Sequence, residues 1–148
     1  MVILSKFTDR MKEFMILNNV NATQLAEKTG INRSTISGLL REEHIPSTKA
    51  LLAFVEYFHC SADYLLGITD DYPENSVFLT PVTTFGERFR LLLKETNISQ
   101  YELTKNDKIS GNLLYRWLNN QTYPSVFYLI KLSDIMGVSI DYLLGRKQ

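Results

Sequence analysis

The sequence predicts an all-α protein made of two tandem five-helix domains joined by a linker. Three observations carry this expectation. Displaced by 78 residues, the chain matches itself without a gap from Phe7/Phe85 to Gly67/Gly145, with 15 identical pairs in 61 positions. Helix signals come in fives in each copy: a Ser, Thr or Asn stands ahead of a stretch with apolar residues at helical spacing. Neither copy holds the strict apolar–polar alternation of a half-buried strand.

The repeat is a tandem duplication. Its identical pairs include Phe7/Phe85, Arg10/Arg88, Leu25/Leu103, Ile31/Ile109, Pro46/Pro124 and Ser47/Ser125, and "SADYLLG" (61–67) returns as "SIDYLLG" (139–145). Two copies at so long a period do not make a solenoid, whose neighbours share one core. Each copy therefore closes its own core, near the lower size limit at which a domain folds alone. The expected boundaries are 1–67 for the first domain, 68–84 for the linker and 85–148 for the second domain.

In the second copy, Thr84-Phe85-Gly86-Glu87 reads as a capping box opening a helix over 85–96, with Phe85, Phe89, Leu92 and Leu93 on one face. Ser99-Gln100-Tyr101-Glu102 is a second capping box, for a short helix ending near Asp107. Ser110 caps a helix reaching about Asn119, Ser125 one over 126–136, and Ser139 a last short one ending in Gly145. The first copy repeats the scheme at about 6–18, 22–29, 33–41, 48–58 and 62–66, with caps at Asn21, Asn32, Ser47 and Ser61. Between the copies, "ITDDYPENSVFLTPVTT" carries acidic residues, two prolines and no helical period; Phe78 in its one apolar stretch is expected to dock on a domain surface.

Composition bounds the function. Lys+Arg and Asp+Glu balance at 16 each, but residues 80–148 hold 9 basic against 6 acidic residues, whereas residues 1–70 hold 7 against 8. No apolar stretch is long enough to span a membrane, and the N-terminus lacks a signal-peptide pattern. The single cysteine, Cys60, forms no internal disulfide, so a cytoplasmic location is expected. Cys60 and Trp117 are expected in the core; His44 and His59 do not suggest a metal site. No glycine-rich phosphate loop, carboxylate pair or nucleophile–base set is present, so neither an enzyme nor a cofactor is expected.

The junction between second and third helices is the informative feature. In "NATQLAEKTGINRSTISGLL" (21–40), Ala26 lies on the inner face of one short helix, Gly30 supplies the sharp turn, and Ile36, Leu39 and Leu40 point inward from the next. The opposite face, Arg33, Ser34, Ser37, Gly38 and Arg41, is expected to meet solvent or a partner. A short helix with small polar residues, held proud by a crossing helix, suits the major groove of DNA. In the second copy Lys108 replaces Gly30, Thr104 replaces Ala26 and Leu113 replaces Thr35, so the turn is expected to be strained or reshaped and Leu113 exposed.

Each copy resembles the helix-turn-helix domain of the Cro/CI-like phage-repressor family, also called the XRE family, hence a lambda-repressor-like fold. The residues that carry the likeness are "QLAEKTGINRSTISGLL", "IPSTKALLAFVEYF" and "DYLLG" in the first copy, and "ISQYELT" with "YPSVFYLIKLSDIMGVSIDYLLG" in the second. The resemblance implies a sequence-specific regulator of transcription that binds a double-stranded operator. It implies base contacts at Arg33, Ser34 and Gly38 in the first copy and at Gly111, Asn112 and Arg116 in the second. Gln100 matches the family's glutamine near a phosphate or base, whereas Ala22 does not, and the loops 41–45 and 119–123 take the phosphate-contacting place. Glu42 and Glu43 oppose that role in the first copy. Asn119, Asn120, Gln121 and Thr122, with Arg88, Arg90, Lys94, Lys105 and Lys108, favour it in the second, where Tyr115 takes the place of Ser37 among the expected DNA-binding residues.

Two arrangements stay open: one monomer spanning two half-sites, or a homodimer in which one copy reads DNA and the other supplies the dimer contact. Half-sites lie about 34 Å apart, and a 17-residue linker reaches roughly 55 Å when extended. The alternative from another class is a protein-interaction module on the same fold, with an antirepressor or toxin as partner.

Overall fold

The computed structural model describes residues 2–71 and 81–146. The described residues form ten helices and no strand, and the chain divides into two compact units, Met1–Leu79 and Thr80–Gln148. The first unit holds α1 (Val2–Leu17), α2 (Ala22–Thr29), α3 (Arg33–Leu40), α4 (Thr48–Phe58) and α5 (Ala62–Leu65). The second holds α6 (Phe85–Thr96), α7 (Gln100–Asp107), α8 (Gly111–Leu118), α9 (Val126–Met136) and α10 (Ile140–Leu143). The docking expected of Phe78 lies outside the described residues.

Local chemistry starts nearly every helix where the sequence places it. From α2 to α10, the side-chain oxygen of Asn21, Asn32, Ser47, Ser61, Thr84, Ser99, Ser110, Ser125 or Ser139 accepts a hydrogen bond from a first-turn amide. Each such cap is worth about 1 kcal/mol. Two details differ from expectation. Helix α1 begins at Val2 rather than near Lys6. The box at Thr84 is only half made: Thr84 Oγ1 accepts from the Glu87 amide, but Glu87 accepts instead from the Thr83 hydroxyl at 2.6 Å.

Each unit closes a core of its own. In the first, Phe7, Met11 and Phe14 lie one turn apart along α1 and are buried with Leu25, Ile36, Leu39, Leu51 and Phe54. Phe14 stacks on Phe58 at 5.2 Å and meets Tyr64 edge-on at 6.0 Å. The second unit buries Phe85, Phe89 and Leu92 from α6 in the same way. Trp117 takes the place of Leu39 and packs against Phe89 and Tyr128. Cys60 is buried, as expected of a small core residue.

The duplicated arginines are structural. Arg10 donates to the carbonyls of Tyr64 and Thr69, and its guanidinium lies 4.0 Å from the Tyr64 ring centre. Arg88 donates to the Tyr142 carbonyl at 2.7 Å and covers the Tyr142 ring at 3.9 Å. A cation over an aromatic face and at a helix C-terminus is favourable on both counts. These bonds tie the last short helix of each unit to its first. Arg88, expected among the cations open to a partner, is buried.

Asp141 and Arg146 form a buried ion pair at 2.9 Å. The ends of the expected linker are bound to their own units: Asp70 pairs with Arg10 and Lys6, and the Val82 amide donates to the Gly145 carbonyl.

Candidate nucleic-acid interface

In the first unit, Asn21 and Gln24 make a complete capping box at the start of α2, with bonds of 2.8 and 2.9 Å. The helix ends at Gly30, which sits in the left-handed region at φ 76° and donates its amide to the Ala26 carbonyl. That turn redirects the chain within three residues. Asn32 then caps α3, accepting from both the amide and the hydroxyl of Ser34. Ile36 and Leu39 anchor α3 in the core.

The second unit builds the same junction from different residues. Ser99 and Glu102 complete the capping box of α7. Lys108 holds φ 59° and ψ 27°, the region that Gly30 uses, so the turn is strained but not reshaped. A non-glycine residue there carries about 1–2 kcal/mol of steric cost. Lys131 Nζ donates to the Asp107 carbonyl at 2.7 Å, closing the end of α7 against α9. Thr104, in the place of half-buried Ala26, is exposed, so the larger side chain does not enter the helix crossing.

The outward faces of α3 and α8 differ. On α8, Gly111, Asn112, Tyr115, Arg116 and Asn119 are all exposed, as is Gln100 at the start of α7. Asn112, Tyr115, Arg116 and Asn119 follow the spacing of one helical stripe. Arg116 forms no ion pair with the described residues, while Asn119 donates to the Tyr115 carbonyl at 2.8 Å. On α3, Arg33, Ser34 and Arg41 are exposed and Ser37 is half-buried. Gly38, expected on the open face, is buried. The loop after α3 folds back through a bond from the Glu43 amide to the Gly38 carbonyl. A Cβ at Gly38 would stand 2.6 Å from His44 Nε2 and 3.2 Å from Glu43 Oε2.

Charge and pairing modulate these faces. Arg33 Nε donates to Thr23 Oγ1 at 2.7 Å, which draws its guanidinium toward the first turn of α2. Arg41 forms a forked pair with Glu43, at 2.8 and 3.3 Å. Bonding and attraction from Arg41 hold the Glu43 carboxyl below the usual range, and Glu43 raises Arg41 in return. In the second unit Lys105 lies 5.7 Å from the Tyr101 ring centre. Leu113, expected to be exposed, is half-buried. Asn120, expected to face a partner, accepts from the Gly86 amide and donates to Thr84, so its side chain fastens the loop after α8 to the start of α6.

A five-helix bundle whose second and third helices meet at a left-handed turn, present twice, defines a tandem helix-turn-helix protein. The family model described as helix-turn-helix matches the chain over residues 11–65 and again over 89–143. The chain belongs to that family, in its XRE-type, phage-repressor-like form. Among curated proteins it is similar to an uncharacterised HTH-type transcriptional regulator, YobD, of Bacillus subtilis (strain 168), with 32% identity over 65 residues. That match covers 44% of this chain and 58% of the relative's length. No solved structure matches the chain significantly. Among the described residues no helix is long and apolar enough to cross a membrane.

Proposed function

We propose that the protein is a cytoplasmic, sequence-specific transcriptional regulator, a repressor, which places α3 and α8 in the major grooves of an operator duplex. The observation that carries this reading is the open stripe on α8, Asn112, Tyr115, Arg116 and Asn119, standing clear of a core anchored by Leu114, Trp117 and Leu118. Arg116 has the fork geometry to bond the O6 and N7 of guanine, and Asn112 the amide to pair with adenine. Gly111 lets the backbone approach; a Cβ there would meet nothing within 4 Å. Gln100 and Asn119 serve phosphates at the two edges of the groove. In the first head Arg33 and Ser34 take the base-reading positions, with Ser37, Gly38 and Arg41 beside them.

The heads in this reading are 1–67 and 85–148, joined by the linker 68–84. With its ends bound to their own units, ten residue steps from Asp71 to Pro81 are left, which extend to about 35 Å. Half-sites lie roughly 34 Å apart centre to centre, and each head adds its own width to the linker's reach, so one monomer is able to span two half-sites. The homodimer, with one head of each chain on DNA, is the other arrangement. Covalent coupling of two weak heads raises apparent affinity by effective concentration where both engage together.

A second reading, a protein-interaction module, is favoured by the C-terminal end of α1. Ile16 and Leu17 are 80% and 68% exposed there, and Ile16 joins Met15, Val20 and Leu40 with the polar Lys12, Asn19, Asn21 and Gln24 in lining an open depression of about 550 Å³. Selection of duplexes from a random pool, followed by affinity against salt, separates the two. A DNA reader enriches one motif and loses affinity with a log–log slope of about 0.9 per phosphate contacted; a protein-binding module enriches none.

A further inference from the structure

The heads differ most sharply in the loop after the third helix, and the inference drawn from this rests on the DNA reading above. In the first head that loop is 41–45, and Arg41 is its cation. Nε and Nη2 of Arg41 are both committed to Glu43, in the forked geometry a guanidinium adopts with phosphate. The Glu43 carboxylate and the His44 ring also lie over Gly38, closing part of the outward face of α3. Glu42, in a left-handed turn at φ 60°, adds a second exposed carboxylate. The second head fills the same places with Asn119, Asn120 and Gln121, which carry no charge, and has Arg116 where the first has Gly38.

We propose that Glu43 is an internal stand-in for a DNA phosphate: it neutralises Arg41 and covers Gly38, so the first head is the weaker reader and the second anchors the protein on the duplex. Both side chains are largely exposed, at 61% for Arg41 and 54% for Glu43. An ion pair so placed is weak, and removing either partner leaves the fold intact. The pairing nevertheless means that a backbone passing this loop displaces no counterion from Arg41, since Glu43 already neutralises it.

The test uses the full chain and the duplex it selects. Glu43→Gln frees Arg41, so binding should tighten several-fold and the log–log salt slope should steepen by about 0.9, the value for one added phosphate contact. In an Arg41→Ala background the same substitution should give no gain, because the coupling lies between those two residues. Unchanged affinity and slope in Glu43→Gln would overturn the proposal, and so would a gain that persists without Arg41, which is plain repulsion between Glu43 and DNA. If the unaltered chain binds no duplex at low salt, the DNA reading itself fails. If it binds and Arg116→Ala weakens it while Glu43→Gln does nothing, only the role of Glu43 falls.

Discussion

Lys108→Gly separates what the second head's turn does for stability from what it does for binding. Lys108 sits at φ 59°, ψ 27°, as Gly30 sits at φ 76°, ψ 7°, and both donate their amide back into the preceding helix. Left-handed backbone costs a residue with a Cβ about 1–2 kcal/mol, whereas glycine loses some 0.5–1 kcal/mol more chain entropy on folding. The balance is a gain of about 0.5–1 kcal/mol for Lys108→Gly. In a head of this size that raises the midpoint of thermal unfolding by roughly 2–8 °C. The assay needs no dissection of the chain: Trp117 is the single tryptophan, is fully buried, and lies in the second head. Its fluorescence reports that head alone. The same substitution removes an exposed cation from the turn ahead of α8; if Lys108 meets a phosphate in the proposed DNA complex, affinity should fall and the salt slope should flatten by about 0.9. An unchanged or lowered Trp117 midpoint would refute the assignment of strain to Lys108.

Arg116→Ala should weaken binding to the selected operator by about 1–3 kcal/mol and relax preference at one base pair; equal weakening on every sequence would reduce it to a phosphate contact. Arg33→Ala, measured the same way, should have a smaller effect if the first head is the weaker reader. Asp141→Ala leaves Arg146 buried without its partner and should cost about 3–5 kcal/mol, seen as an early Trp117 transition in urea. Asn120→Ala removes the acceptor for the Gly86 amide and places alanine at φ 56°; about 1–2 kcal/mol should be lost from the second head, with base preference unchanged.

Helix starts were legible because a cap is local chemistry. Asn21 with Gln24, or Ser99 with Glu102, needs only three residues of sequence to be recognised, and the helix bounds followed closely. The positions Gly111, Asn112 and Arg116 were reached through the resemblance to the repressor family, which points to the first residues of the third helix and those one turn on, and all three are exposed. Contacts that depend on distant chain were not legible. Arg88 looked like a free cation, but its partner Tyr142 lies 54 residues away; the matched pairs Arg10/Arg88 and Tyr64/Tyr142 within the repeat were the signal that could have shown it. Gly38 looked exposed because the loop folding back over it has no periodicity to read. Glu87 found Thr83 where the capping pattern gave it the Thr84 amide, a choice between neighbours that spacing does not decide.

The most direct test of the account is equilibrium binding of the intact chain to its selected duplex across a range of salt, with a scrambled duplex alongside. The account predicts tight binding to the selected sequence, a steep loss of affinity with salt on both, and a gap between them that shrinks in Arg116→Ala. Absence of binding to either duplex at low ionic strength, or equal affinity for both, would contradict it.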